Sequence, residues 1–256
     1  MRHIEAVLQS KLRRTYDTAP APLLVVAPTE RELGGIRNRR MSGVGVAVVG
    51  VGREAGDALQ AVLQARPPEI ILSLGFAGAL TDGARTGDLV LSRRLTEVDS
   101  GPWPEVLRGS CLATAKEAIA DSGETIIEGD LLTVPSPLLS SEEKRFYGES
   151  TGAVVVDMEG YWLAREAQVA GIPMIPVRAV IDEMDDDLPG LVGDIVADGG
   201  RREWLHALRA MRNPVTAGAL LPLAMRSRKA QRALRGAVGS LLPALTDTRR
   251  LRAAYR

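Results

Sequence analysis

Between Pro22 and Leu95 the chain sets short apolar runs against turns marked by Gly and Pro, and this strand, helix, strand rhythm leaves few folds open. The runs are "PLLVVAP" (Pro22 to Pro28), "GVGVAVVGVG" (Gly43 to Gly52), "EIILSLGFAGAL" (Glu69 to Leu80) and "GDLVLSRRL" (Gly87 to Leu95). They are brief, bounded by turn residues and rich in Val, Leu and Ile, as buried strands are. Between the second and third, "REAGDALQAVLQARPP" puts Ala58, Leu59, Val62 and Leu63 on one helical face before Pro67 and Pro68 stop it. Strands in this rhythm are expected to pair in parallel within a three-layer α/β domain.

The rest of the chain extends the pattern. The spacing predicts a helix from Ser110 to Asp121, strands at Thr125 to Ile127 and Asp130 to Val134, and a strand at Ala153 to Val156. A helix from Glu159 to Ala170 follows, with Gly171 past its end, and then a strand from Ile172 to Val180. Pro176 inside that strand predicts a bulge or a local break. After Asp187 a loop is expected, then helices broken at Pro214, Pro222 and Pro243. There is no internal repeat. The expected organisation is one domain over 1–190, opening with an amphipathic helix over 1–20, and a basic helical extension over 191–256 packed on or beside it.

Composition narrows the chemistry. The single cysteine, Cys111, rules out a disulfide framework, and two distant histidines, His3 and His206, make a metal site unexpected. The sequence holds no run of about 18 apolar residues, and the start "MRHIEAVLQSKLRRTY" is amphipathic rather than signal-like, so a cytoplasmic location is expected. Net charge is zero, yet Arg201 to Arg256 carries thirteen Lys or Arg against Glu203 and Asp247, leaving that segment at +11 and the first 200 residues at −11.

Four stretches are candidates for chemistry. In "GVGREA", Gly50, Gly52 and Ala55 stand where a dinucleotide fingerprint would, but no strand-ending acid follows about 20 residues later, and a tight strand-to-helix turn explains them as well. "SLGFAGAL" brings Gly75, Phe76, Ala77 and Gly78 to a strand's carboxyl end, where free amides accept an anion or a hydroxyl. "PTEREL" places Glu30 and Glu32 just past the first strand, at the edge where open α/β sheets bind ligands, or else on a solvated helix start. In "VVVDMEGYWLAREAQVAGIPMIPVRAVID", Asp157, Glu159 and Asp182 stand at the ends of core elements. Uncompensated carboxylates there cost several kcal/mol, so they need partners or a function. Asp157 reads as a helix cap, whereas Glu159 and Asp182 read as functional.

In this order, "APTEREL", "VVGVGREAGDALQAVL", "SLGFAGAL" with "GDLV", "EGDLL", "VVVDMEG" and "VRAVID" resemble the nucleoside phosphorylase and nucleosidase superfamily, including the methylthioadenosine/S-adenosylhomocysteine nucleosidases. The resemblance covers roughly residues 23 to 182. It implies a three-layer α/β/α fold with a mixed central sheet. It also implies a purine nucleoside with its ribose against Met158 and Glu159, and its base near Asp182 and the strand end at Leu132 and Thr133. Asp182 would protonate the departing purine, and Glu32, rather than Glu30, would orient a water on the opposite face. No cofactor is implied, and phosphate would be a co-substrate only in a phosphorylase. Ser73 and Phe76 occupy the places where phosphorolytic relatives hold phosphate partly with Arg and Ser, which favours water, although Arg37, Arg39, Arg40 or Arg53 could bring charge from elsewhere. Two departures follow: Ile181 precedes Asp182 where relatives have Ser, and Leu131 and Leu132 stand where nucleosidases tend to have a stacking aromatic.

The basic C-terminal stretch "AMRNPVTAGALLPLAMRSRKAQRALRGAVGSLL" resembles the Pro-broken, Arg-rich tail of hopanoid-associated members, which implies a lipid nucleoside such as adenosylhopane as substrate. Leu220, Leu221, Leu223, Ala224 and Met225 beside Arg226, Arg228, Lys229, Arg232 and Arg235 suit an anionic membrane surface, or equally docking on the acidic body or a second subunit. No stacking aromatics interleave these arginines, so nucleic acid is not an expected partner. The combined expectation is an enzyme, a homo-oligomer, that cleaves the N-glycosidic bond of an adenine nucleoside with water. A purine nucleoside phosphorylase, a methylthioadenosine/S-adenosylhomocysteine nucleosidase and a non-catalytic nucleotide-binding module are the alternatives.

Overall fold

The computed structural model describes residues 22–36, 41–98, 101–102, 109–121, 123–190 and 214–246. The helix expected over 1–20, the arginines at 37, 39 and 40, and the first part of the C-terminal extension, 191–213, lie outside the described residues. Strands β1 (Leu23–Ala27), β2 (Val44–Val48), β3 (Ile70–Ala79), β4 (Leu89–Glu97), β5 (Gly101–Pro102), β6 (Ile126–Thr133), β7 (Val155–Asp157) and β8 (Met174–Asp182) form one sheet. The helices are α1 (Glu54–Ala65), α2 (Gly109–Ala120), α3 (Ser141–Thr151), α4 (Gly160–Val169) and α5 (Pro214–Thr246), with a 3-10 turn at Glu30–Leu33.

The sheet is mixed, as the resemblance implies and the strand, helix, strand rhythm alone does not. β1 pairs in parallel with both β2 and β3. Beyond β3 the sheet closes on itself: β3 pairs in parallel with β8, β8 antiparallel with β4, β4 in parallel with β6, β6 in parallel with β7, and β7 antiparallel with the end of β3. β3 and β4 serve two sides of this ring because they are long, ten and nine residues.

Alternation along the strands feeds two cores. Leu23, Val25, Leu72, Leu74 and Val177 face one side, covered by α2 and by Leu234, Val238 and Leu241 of α5. Leu24, Val26, Ile71, Met174 and Val180 face the other, covered by α1 through Leu59 and Leu63 and by α4 through Leu163 and Ala164. Each fully buried side chain of this size contributes about 1.5–3 kcal/mol, which fixes strand register against a one-residue slip.

Three expectations change. The strands predicted at 125–127 and 130–134 are one strand, β6; it runs through Gly129, where an added Cβ would lie 2.2 Å from Val154, and its irregularity falls in β4 between Ser92 and Leu95. Pro176 pairs opposite Ser73 without a break, because the β4 ladder stops at Val177 and leaves the proline a strand neighbour on one side only. The bulge comes instead at Ile181, since Val180 pairs with Ala77 and Asp182 with Gly78. Lastly, Pro222 and Pro243 lie inside one helix of 33 residues, α5, both on its exposed side. The buried row Ala230, Ala233, Leu234, Ala237, Val238, Leu241 and Leu245 keeps helical spacing along the core face.

Docking on the body is thus what the described part of the extension does. Arg226 pairs with Asp186 at 2.5 Å, and the Gln231 amide donates to the Arg31 carbonyl at 3.0 Å. The side chains of Leu220 and Leu221 lie outside the described ones, while Met225 is exposed. No described helix is long and apolar enough to cross a membrane.

Candidate functional site

Four residues of β3, Gly75 to Gly78, form the spine of the site. At the first, Arg178 of β8 lies so close that a Cβ on Gly75 would be 3.0 Å from its Nε. At the second, the Phe76 amide donates to Glu32 Oε1 at 2.9 Å. At the fourth, a Cβ on Gly78 would be 3.0 Å from Asp182 Oδ2. These glycines therefore make room for charged side chains of β8, where the sequence suggested backbone left open to a ligand. The Phe76 amide is likewise already taken.

Glu32 is held from its own turn as well. Thr29 donates to Oε2 through its amide at 3.0 Å and its hydroxyl at 2.6 Å, a capping-box arrangement at the start of the 3-10 turn. Glu32 is 7% exposed, whereas Glu30 faces solvent, so geometry selects Glu32 of the two. Burial pushes its carboxyl above the usual range, against the hydrogen bonds from Thr29 and Phe76 and the charge of Arg178.

Glu159 sits at the junction of β7 and α4 and accepts from the Gly52 amide at 2.8 Å. Oε2 of Glu159 has no donor among the described residues. Its carboxyl stands well above the ordinary value, first through burial and then through the charges of Asp157 and Glu32. The glycine turn after β2 is thus occupied: a carboxylate of the same chain takes the amide just before α1, where a pyrophosphate would bind. Arg53, named as a source of charge, lies 4.6 Å over the Trp162 ring.

Asp157 does cap α4, accepting from the Gly160 amide at 3.0 Å, but it also pairs with Arg178 Nε at 2.8 Å and accepts from the Thr133 hydroxyl at 2.8 Å. Thr133 in turn accepts from the Tyr161 amide at 2.9 Å, so its hydroxyl positions Asp157 and is already engaged at both ends. Leu132 is fully buried among Leu80, Val134 and Val156, and Leu131 is fully buried as well, so neither presents a face to a ligand. Phe76 and Met158 are half-buried at the spine and beside Glu159, and Ala77 is buried.

Two functional side chains escaped the sequence reading. Arg178 is fully buried, donating through Nη1 to the Ser73 carbonyl at 3.1 Å and the Ser73 hydroxyl at 3.3 Å, while its Nη2 has no partner. An orphan guanidinium nitrogen costs desolvation energy unless something binds it. The signal was present: in "IPVRAVID" an arginine interrupts an apolar strand on the same parity as Val180 and Asp182. Lys144 of α3 is the other, fully buried and 2.5 Å from Asp182 Oδ2. It gives Asp182 the polar neighbour that Ile181 cannot. Asp182 still lies above the ordinary aspartate range, because burial outweighs the Lys144 charge. Lys144 had no such signal, since α3 itself was not predicted, although the box Ser140 to Glu143 that caps it is readable.

Residues 40–202 match the family model of the Phosphorylase superfamily. A 5'-methylthioadenosine/S-adenosylhomocysteine nucleosidase of Shewanella halifaxensis is 22% identical over 180 residues, covering 64% of this chain and 78% of the relative. One from Haemophilus influenzae is 24% identical over 159 residues, covering 56% and 67%. Among solved structures, futalosine hydrolase of Helicobacter pylori superposes with a TM-score of 0.65 at 18% identity over 86% of this chain and 97% of that one. The 5'-methylthioadenosine/S-adenosylhomocysteine nucleosidase of Helicobacter pylori, complexed with a pyrrolidine ligand, gives 0.66 at 16% identity over 88% and 99%. These likenesses establish the fold.

Proposed function

Because the chain belongs to the Phosphorylase superfamily, we propose that it is an enzyme that hydrolyses the N-glycosidic bond of a purine nucleoside, with adenine as the base. The observation that carries this reading is the convergence of Glu32, Arg178 and Asp182 on four residues of β3, with Glu159 close enough to feel the charge of Glu32. The known activities of the nucleosidases and of the futalosine hydrolase support it.

The chemistry follows from charge. As the bond between C1′ and the base nitrogen breaks, its electron pair leaves with the base and the sugar becomes cationic. Asp182, whose burial favours the protonated form over the usual aspartate balance, supplies the proton that neutralises the base. The excess of carboxylates over Arg178 stabilises the sugar cation. Glu159 Oε2 accepts ribose hydroxyls, and Glu32 Oε1, with one lone pair left, orients the attacking water together with Arg178 Nη2. The water proton passes to solvent or to Glu32.

Water is favoured over phosphate because Glu32, Asp157 and Glu159 surround Arg178, and an entering phosphate dianion would be repelled by this net negative group. Occupation of the Gly52 amide by Glu159 weighs against a nucleotide-binding module. The lipid nucleoside expected from the tail is not part of this reading, since the relatives that the chain matches are named for methylthioadenosine, S-adenosylhomocysteine and futalosine.

The test is adenine release from a 5′-substituted adenosine, with and without phosphate, by wild type and Asp182→Asn. Release without phosphate that vanishes in the variant is the expected result. Release only with phosphate would make the enzyme a phosphorylase, and binding without release would leave the module.

A further inference from the structure

Lys144 is a charged side chain with no surface exposure, and its three ammonium protons are accounted for. One goes to Asp182 Oδ2 at 2.5 Å, and the others to the carbonyls of Glu183 at 3.0 Å and Asp186 at 2.9 Å. The two carbonyls satisfy hydrogen bonds but do not neutralise the charge; only Asp182 does. The other charges around this carboxylate are spoken for. Asp186 is paired with Arg226 of α5, Glu183 with Arg85, and Asp185 with Arg145.

We propose that Lys144 is the positioning residue of Asp182: its ammonium group holds the carboxylate that forms when the proton leaves for the base, and so governs how readily that proton is given. The proposal rests on the reading of Asp182 as proton donor. In the step itself the Asp182 O–H bond breaks, a base N–H bond forms, and the charge left on Asp182 is met by Lys144⁺, which keeps all its protons. Without Lys144 the new carboxylate would face only the more distant Arg226, with Asp186 opposing it.

The signature has two parts that move in opposite directions. In Lys144→Met the plateau of kcat falls about 10–100-fold, because the donor is weaker. At the same time the alkaline limb of the kcat profile moves up by about 1–3 pH units, because Asp182 keeps its proton longer. Lys144→Gln, which retains an amide donor for the loop carbonyls, shifts the limb in the same direction. A purely structural role would lower the folded fraction, read by circular dichroism, and leave the limb in place; that outcome overturns the proposal. Should both buried variants fail to fold, Arg226→Met decides the matter from the surface: a smaller upward shift is expected, and none would overturn the proposal. Titration of the Asp182 carboxyl by ¹³C NMR, assigned by its loss in Asp182→Asn, needs no substrate. A shifted titration without any turnover would keep the Lys144–Asp182 pair and sink the nucleosidase reading, whereas turnover with an unshifted titration would do the reverse.

Discussion

The floor of the site and its rim manage negative charge in opposite ways. On the floor, Glu32, Asp157 and Glu159 share one arginine, and backbone amides from Phe76 and Gly52 do part of the holding. On the rim, from Asp182 to Asp187, every acid has its own partner: Lys144, Arg85, Arg145, Arg226 and the amide of Ser141. Burial pushes Glu32 and Asp182 up, and burial with the charges of Asp157 and Glu32 pushes Glu159 up, whereas Arg85 holds Glu183 down and the Ser141 amide holds Asp187 down. Asp182 apart, the difference separates charge kept for a substrate from charge spent on the fold. The floor is stable only at a cost that a cationic transition state relieves; the rim is complete as it stands.

The largest expected effect breaks the rim. Asp182→Asn removes the proton donor and lowers kcat by about 10²–10⁴-fold. It also leaves Lys144 buried and unpaired, so urea unfolding should show a stability loss of about 3 kcal/mol. A variant more stable than wild type would erase the distinction drawn here. Next, Arg178→Met leaves three floor carboxylates without their cation and should cost about 3–5 kcal/mol in the same assay, together with activity.

A smaller steric change sharpens the comparison. Gly78→Ala sets a methyl 3.0 Å from Asp182 Oδ2. It should lower kcat about tenfold by displacing the donor, with KM changed less. The smallest change in stability has the opposite sign. Glu159→Gln keeps the Gly52 hydrogen bond but removes repulsion, so it should abolish turnover while raising stability at pH 8 by about 1 kcal/mol. For a carboxyl whose folded value is raised, the penalty is absent below the ordinary 4.5 and grows as pH rises toward the folded value. The gain should therefore vanish near pH 4, measured by Tm across pH. The rim predicts the reverse trend: stability supplied by Glu183 is present above its ordinary value and lost as pH falls through the lowered one.

How much of this was legible follows the same division. Glu32, Glu159 and Asp182 could be placed because each ends an element whose apolar run is plain. Arg178 was visible as a charge inside such a run, but strand parity alone does not say what it faces. Lys144 was hidden because α3, polar but for the adjacent Phe146 and Tyr147, gives no apolar stripe; only tertiary packing buries that one lysine. The prolines of α5 misled for a related reason: local rules break a helix there, and the buried row from Ala230 to Leu245 overrides them. Gly129 misled likewise, its lack of a side chain serving close packing on Val154 rather than a strand end.

The closed ring of strands has a consequence in time. β3 cannot complete its pairing until β8 arrives a hundred residues later, since Ile71 lies beside Met174 and Gly78 beside Asp182. Contacts of such sequence separation form slowly, after the long intervening loop has paid its entropy. During synthesis the growing chain therefore carries β1 to β4 with one flank of β3 open, and nothing upstream can substitute for the missing strand. The strand that shuts the ring also brings Arg178 and Asp182, so the nascent protein acquires its proton donor at the moment the ring closes.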